Sequence, residues 1–272
     1  MTRVAFQGEP GAYGEDAVAR FFGVQATAVP CRAFKEVFER TEKGSVNFGV
    51  VPVENSWAGS INDTYDLLRY HRVKVYGEIN LRIRHCLLAL PGQTMSDIKQ
   101  VYSHPQALAQ CADFIEKHQL EAVPVYDTAG GARMIKEKEA KRSAAIASQR
   151  ASELYGLAIL ASDIQTVDHN YTKFYVIATK PAPYSPNSKT TMIMAVPNSP
   201  GALYRCLGVL AERNINLTKL ESRPRRDKPW EYLFYVDCEG HVQDPALREA
   251  VAELKKATTY LKILGSFPKA ED

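Results

Sequence analysis

No stretch of this 272-residue chain approaches the roughly 18 consecutive apolar residues that a membrane-spanning helix needs, so no membrane partner is expected. A basic stripe is missing as well. The 34 Lys and Arg are scattered among 31 Asp and Glu, and the net charge is only +3. That balance excludes nucleic acid as an expected partner and leaves room only for locally basic pockets that take small anions. Cysteine is scarce: Cys31, Cys86, Cys111, Cys206 and Cys238 are odd in number, far apart and set mostly among apolar residues. They predict buried free thiols, with neither a disulfide framework nor a zinc site. The glycine-rich turn near the start lacks dinucleotide spacing, which argues against nucleotide binding. Because Met1-Thr2-Arg3-Val4-Ala5-Phe6 passes straight into a strand pattern, neither a signal nor a transit peptide is expected, and the predicted location is cytoplasmic.

What is present is an ordinary globular composition, 45% hydrophobic and 24% charged, long enough for two domains. The first half alternates short strands with helices. Val4 to Phe6 reads as a strand, Gly8-Glu9-Pro10-Gly11-Ala12-Tyr13-Gly14 as a loop, and Glu15 to Phe22 as a helix with Ala17, Val18 and Phe21 at helical spacing. Further strands at residues 26–29 and 46–53 flank a helix at 34–41. The alternation predicts α/β architecture with a mostly parallel sheet covered on both faces. Val73 to Leu90 reads as a crossover into a second lobe, and the strand opening near Thr172 as a return to the first.

Polar residues gather where open α/β sheets place ligands, at the carboxyl ends of strands. Glu54, Asn55 and Ser56 follow the buried run ending at Val53, and Ser60 with Asp63 reads as a helix cap. Ser103-His104-Pro105-Gln106 precedes a helix that Pro105 suits as its first residue, and the positive end of that helix favours a carboxylate. Gln110 lies on another face of its first turns. Asp127-Thr128-Ala129-Gly130-Gly131 repeats the design with small residues. Asn170-Tyr171-Thr172-Lys173-Phe174 joins a polar cluster to an apolar strand and places the Thr172 hydroxyl at a strand mouth. Together these starts predict a two-lobed cleft for a small anionic molecule.

Gly8-Glu9-Pro10-Gly11-Ala12-Tyr13, Val51-Pro52-Val53-Glu54-Asn55-Ser56, Tyr102-Ser103-His104-Pro105-Gln106-Ala107, Asp127-Thr128-Ala129 and Asn170-Tyr171-Thr172-Lys173-Phe174 resemble, in order, the motifs of prephenate dehydratases. Two positions depart from the family pattern: Lys173 replaces the usual Arg, keeping the charge but not the planar fork, and Gly14 replaces a common Ser. The resemblance implies a two-lobed catalytic domain, residues 1–180, similar to periplasmic solute-binding proteins. It also implies loss of water and carbon dioxide from prephenate to give phenylpyruvate, with no metal or other cofactor. Thr172 is then the donor to the departing hydroxyl. Asn55, Ser103 and Gln110 match positions tied to substrate binding or catalysis, and Phe174 belongs to the same motif as Thr172. Glu54, Ser56, Gln106 and Thr128 are added by the cleft reading. An arogenate dehydratase and a non-catalytic amino-acid-sensing or solute-binding protein are the alternatives. A fused chorismate mutase is not expected, since no helical segment precedes Val4.

Pro181 to Ser188 reads as a proline-rich linker (residues 181–189). Residues 190–272 then carry a βαββαβ pattern, a ferredoxin-like unit. Asn198-Ser199-Pro200-Gly201-Ala202-Leu203 and Leu220-Glu221-Ser222-Arg223-Pro224 resemble the two motifs of phenylalanine-binding ACT domains. This resemblance implies L-phenylalanine as an allosteric effector, held by Asn198, Gly201, Ala202 and Leu203 on one side and Glu221, Ser222 and Arg223 on the other. The unit's sheet edge and apolar helix face lead to the expectation that two copies pair with the effector at their interface, in a homodimer or homotetramer.

Overall fold

A computed structural model describes residues 1–225, 228 and 230–270. The chain divides into two compact units, residues 1–65 with 79–174 and residues 66–78 with 175–272.

The first unit has two lobes. In chain order the first lobe contains β1 (Arg3–Gln7), α1 (Tyr13–Phe22), β2 (Thr27–Cys31), α2 (Phe34–Glu42), β3 (Phe48–Asn55), β4 (Gly59–Ser60), α3 (Asn62–Tyr70) and β5 (Lys74–Arg82). The second contains β6 (Cys86–Ala89), β7 (Gln100–Ser103), α4 (Pro105–Gln110), α5 (Ala112–Lys117), β8 (Glu121–Pro124), α6 (Thr128–Glu137), β9 (Ser143–Ala147), α7 (Gln149–Tyr155) and β10 (Ala158–Ala161). The chain then returns as β11 (Tyr171–Ala178), giving one sheet ordered β2-β1-β3-β11-β5 and another ordered β10-β6-β9-β7-β8. β5 belongs to this unit from Ile79 onward and β11 up to Phe174.

β1 pairs in parallel with β2 and β3, as the alternation predicts. The second sheet is mixed: β7 is parallel to β8 and β9, but β6 runs antiparallel to β9 and β10. β6 is the exception: it connects to β7 without an intervening α-helix, so no crossover enforces its direction, whereas β10 follows α7 and runs in the same sense as β9. Strands buried on both faces explain the near-continuous apolar runs: Val50, Val51 and Val53 in β3 and all of Ser143 to Ala147 in β9 are buried. Leu87, Ile98, Val101, Leu108, Cys111, Ile146 and Ile164 form the core of the second lobe. Ser60, expected at a helix start, is a strand residue two positions ahead of α3. It lies in β4, which Gly59 at φ +78° folds back onto β3, so that Glu54 pairs with Ser60.

In the second unit, β12 (Ser188–Ala195), α8 (Ala202–Ala211), β13 (Leu217–Pro224), β14 (Tyr232–Glu239), α9 (Pro245–Ala257) and β15 (Tyr260–Pro268) give the expected βαββαβ order. The antiparallel sheet is ordered β13-β14-β12-β15, with α8 and α9 packed on a core of Met192, Met194, Cys206, Leu210, Val236, Leu247 and Leu254. All five cysteines are free and buried, and burial pushes the Cys111 thiol up to about 12. Among the described residues no helix is long and apolar enough to cross a membrane.

Candidate active site

The two lobes of the first unit enclose a cavity of about 360 Å³. The first lobe lines it with Gln7, Tyr13, Gly14, Val50, Pro52, Asn55, Thr172 and Phe174, and the second with His104, Gln106, Ala107, Gln110, Tyr126, Asp127 and Thr128. Six of the sequence-based candidates therefore meet on one surface: Asn55, Gln106, Gln110, Thr128, Thr172 and Phe174. Three others are not among the lining residues. Ser103 is fully buried and donates to the Ile146 carbonyl at 2.6 Å. Ser56 donates to the His169 carbonyl at 3.0 Å and accepts from the Tyr171 N–H at 2.9 Å, holding the end of β3 to the start of β11. Glu54 is paired in the β3–β4 hairpin. Lys173, next to Thr172 in β11, is not among the lining residues.

The β1–α1 loop ties the lobes together. The Pro10 and Gly11 carbonyls accept from Tyr155 and Ser148, each at 2.7 Å, while Glu9 takes the Tyr126 hydroxyl and the Arg133 guanidinium, the latter at 2.7 Å. Gly8, at φ +121°, permits this approach, because a Cβ there would lie 2.8 Å from the Asp127 carboxylate. At Gly14 a side chain would meet Phe6 and the Gln7 carbonyl at 3.1 and 3.2 Å, so glycine fits where the family often has serine.

Around Thr172 the polar atoms form one network. The Asn55 side-chain oxygen accepts from the Trp57 and Ala58 backbone N–H groups at 3.0 and 2.9 Å, which fixes its amide. Its Nδ2 then faces the Thr172 hydroxyl oxygen at 3.0 Å and the Asn170 side-chain oxygen at 2.8 Å. Because Thr172 accepts from Asn55, its own proton is left for another acceptor. Asn170 donates to Gln110 Oε1 at 2.9 Å, and Gln110 Nε2 reaches back to Asn55 at 3.3 Å. Gln110 Oε1 also lies 2.8 Å from His85 Nε2. His85 is buried, and desolvation outweighs the Gln110 bond to lower its pKa to about 4, so the ring is neutral at pH 7.

At the cavity's other wall, His104 caps α4 by accepting from the Gln106 N–H at 3.2 Å, and Asp127 caps α6 by accepting from the Gly130 N–H at 2.8 Å. Burial lowers the His104 pKa despite the nearby Asp127 carboxylate, and burial raises that of Asp127. Among the described residues lining the cavity there is no Arg or Lys, and the carboxyls are those of Asp63 and Asp127. The hydrogen-bond donors that line the cavity are therefore mostly neutral groups. His85, Tyr13 and Tyr126 were not singled out from sequence. His85 lies between two strands without a local motif, whereas Tyr13 and Tyr126 abut motifs that could have pointed to them.

A second cavity, about 350 Å³, lies in the second unit where α8 begins. Asn198, Gly201, Ala202 and Leu203 line it, together with Tyr204, Trp230, Tyr232 and Phe234, which sequence reasoning passed over. Glu221, Ser222 and Arg223 lie on β13, registered against Tyr235, Phe234 and Leu233, and are not among the lining residues. Arg223 pairs with Asp66 at 3.1 Å.

The prephenate dehydratase family profile matches residues 4–182, and the ACT domain profile matches residues 190–256. The chain is 42% identical over 277 residues to arogenate dehydratase/prephenate dehydratase 2, chloroplastic, of Arabidopsis thaliana, covering 98% of this chain and 72% of that protein. A bifunctional chorismate mutase/prephenate dehydratase of Stutzerimonas stutzeri is 39% identical, with 98% and 73% covered. Among solved structures, the prephenate dehydratase of Arthrobacter aurescens in complex with L-Phe superposes with a TM-score of 0.89 at 30% identity, over 98% of this chain and 90% of that one. A protein described as a novel type of quorum quenching acylase gives 0.90 at 36% identity over 98% of each chain.

Proposed function

The chain belongs to the prephenate dehydratase family, and on that premise we propose that it converts prephenate to phenylpyruvate under control of L-phenylalanine. The observation that carries the proposal is the hydrogen bond from Asn55 to Thr172, which leaves the Thr172 proton for the departing ring hydroxyl. As the ring carboxylate leaves as carbon dioxide, its bonding electrons enter the ring and expel the hydroxyl, which takes up one proton and departs as water. Aromatisation drives the step. An un-neutralised pocket suits it, since no lining Arg or Lys stabilises the carboxylate that must give up its charge. Neutral amides and the N–H groups at the start of α6 supply orientation.

Arogenate is the competing substrate, because relatives of similar identity carry that name and Asp63 and Asp127 could receive its ammonium group. Incubation with each substrate, with and without a chelator, is expected to give phenylpyruvate from prephenate at an unchanged rate after chelation. Phenylalanine formed from arogenate, with prephenate left intact, would overturn the assignment. An acyl-transfer reading is disfavoured. Ser103 donates to a backbone carbonyl and Thr172 is bonded to an amide, so neither hydroxyl is paired with a base.

The proposed division is a catalytic domain over residues 1–180, a linker over 181–189 and a regulatory domain over 190–272. Phenylalanine is placed at the start of α8, with its ring against Trp230 and Tyr232, in a homodimer or homotetramer. The side-chain oxygen of Asn198 suits the effector's ammonium group. Asn198→Ala is therefore expected to weaken inhibition about tenfold, within the usual coupling range, while uninhibited turnover is retained. Unchanged inhibition would place the effector elsewhere. Five unpaired thiols suit a reducing compartment, for which we propose the cytoplasm.

A further inference from the structure

We propose that His85, held as the Nε2–H tautomer by Gln110, is a positioning residue that keeps the Thr172 proton directed at the substrate. The inference rests on the dehydratase reading for its catalytic consequence but not for its geometry. The network runs from the backbone N–H groups of Trp57 and Ala58 through Asn55, Asn170 and Gln110 to His85, and every one of these side chains is buried. Each amide must present its oxygen to a donor and its nitrogen to an acceptor, so one choice of orientation dictates the next. Two backbone donors fix Asn55. The choice then passes along the chain and arrives at Gln110 with Oε1 facing the His85 ring at 2.8 Å. Only an Nε2–H satisfies it.

The other face of the ring leaves the choice to Gln110. A neutral imidazole protonated at Nε2 has a lone pair on Nδ1, and the Tyr13 hydroxyl lies 3.0 Å from that atom. The same hydroxyl donates to the Arg84 carbonyl at 2.8 Å, so its single proton is shared between that carbonyl and Nδ1, and the two rings meet edge to face at 5.5 Å. The His85 backbone is held independently, its N–H donating to Gln165 at 2.9 Å and its carbonyl accepting from Ile164 at 3.1 Å. Burial keeps the ring neutral, so the tautomer choice is real at physiological pH.

The opposite tautomer would set two lone pairs against each other at Gln110. Turning Gln110 to relieve this moves the conflict to Asn170 and then to Asn55. If Asn55 turned in its place, its oxygen would face Thr172 and accept the very proton that the leaving hydroxyl needs. The tautomer of a buried residue at the pocket wall thus sets the direction of a hydrogen bond at Thr172.

The test combines a spectrum with kinetics. Long-range proton–nitrogen correlation of the 15N-labelled full-length protein at pH 7, with His85 assigned from the signal lost in His85→Gln, is expected to show hydrogen on Nε2 and none on Nδ1. A Nδ1–H or an even mixture would overturn the proposal. His85→Gln sets an amide N–H where the ring N–H stood and is expected to stay within about tenfold of wild-type kcat. His85→Leu fills the space without a donor and is expected to lower kcat about 10- to 100-fold with little change in KM, the scale for one unsatisfied buried acceptor. Equal losses in both variants, with wild-type melting temperatures, would show that the donor is irrelevant. If His85→Leu does not fold, the spectrum alone decides. Wild-type protein that shows the expected tautomer but turns over no prephenate would refute the dehydratase reading and leave the network standing.

Discussion

Thr172→Ala is expected to lower kcat roughly 10²- to 10³-fold, the scale for removing one preorganised donor, with little change in KM or in melting temperature. Stability should hold because the substitution strands no partner: Asn55 Nδ2, once bonded to Thr172, keeps the Asn170 side-chain oxygen at 2.8 Å and the Tyr171 carbonyl at 3.1 Å. Rate should not hold, because the lost proton is the one that Asn55 leaves unclaimed. Thr172→Ser keeps the hydroxyl at the same strand mouth and should retain far more activity, whereas Thr172→Val, close in shape but without a donor, should behave like alanine. Steady-state kinetics on the three variants, with thermal melts as the folding control, makes the comparison. Equal losses in serine and alanine variants of normal stability would mean that the methyl group or the backbone matters and the hydroxyl does not.

The sequence made Thr172 visible because a short run of adjacent residues carries its signal: a polar Asn170, then β-branched and aromatic residues that must be a strand. The same holds for Asn55 at the end of β3, and for Gln106 and Thr128 at helix starts. Local chemistry sets local structure there, and strand ends are where ligands gather. Ser103 shows the limit. It sits at a helix start as expected, yet its hydroxyl points back into the sheet and is spent on the Ile146 carbonyl 43 residues away. Ser60 shows another, since its pattern with Asp63 gave no sign of the hairpin pairing with Glu54 that Gly59 makes available. His85 gave no signal. What defines it is the meeting of Tyr13, 72 residues earlier, with Gln110, 25 residues later, and no periodicity or motif encodes that juxtaposition. In the second unit, helix-start residues were legible as one side of the second cavity. Trp230 and Tyr232 were not, because their part in it depends on how β14 returns beside β12.

Lys189→Met is expected to destabilise the second unit by about 3–5 kcal/mol, the usual cost of stranding buried partner charges, and so to lower its melting temperature by roughly 13–21 °C. Lys189 sits in β12 with its side chain only 6% exposed, 2.6 Å from Glu78 and 3.3 Å from Asp237, whose side chains are 6% and 2% exposed. The Tyr175 hydroxyl adds a hydrogen bond to Asp237 at 3.2 Å, and the Ala270 N–H reaches Glu78 at 3.2 Å. Burial works against the ammonium, but the Asp237 and Glu78 carboxylates outweigh it and raise the Lys189 pKa above its ordinary value of 10.5. A raised folded-state pKa means that the contribution is fully present below the unfolded value and is lost only as pH rises through the folded one. The melting difference should therefore be the same at pH 7 and pH 8. Methionine fills the lysine stem's volume but leaves two carboxylates in a dry site with no cation between them. Adding Glu78→Gln and Asp237→Asn to the Lys189→Met background should restore most of the lost stability, because neutral amides remove the stranded charge that the single variant creates. A single variant that melts within about 2 °C of wild type, or a triple variant no more stable than the single one, would show that the cluster is solvated or inert and that packing of β12 against β14 and β15 alone holds this unit together.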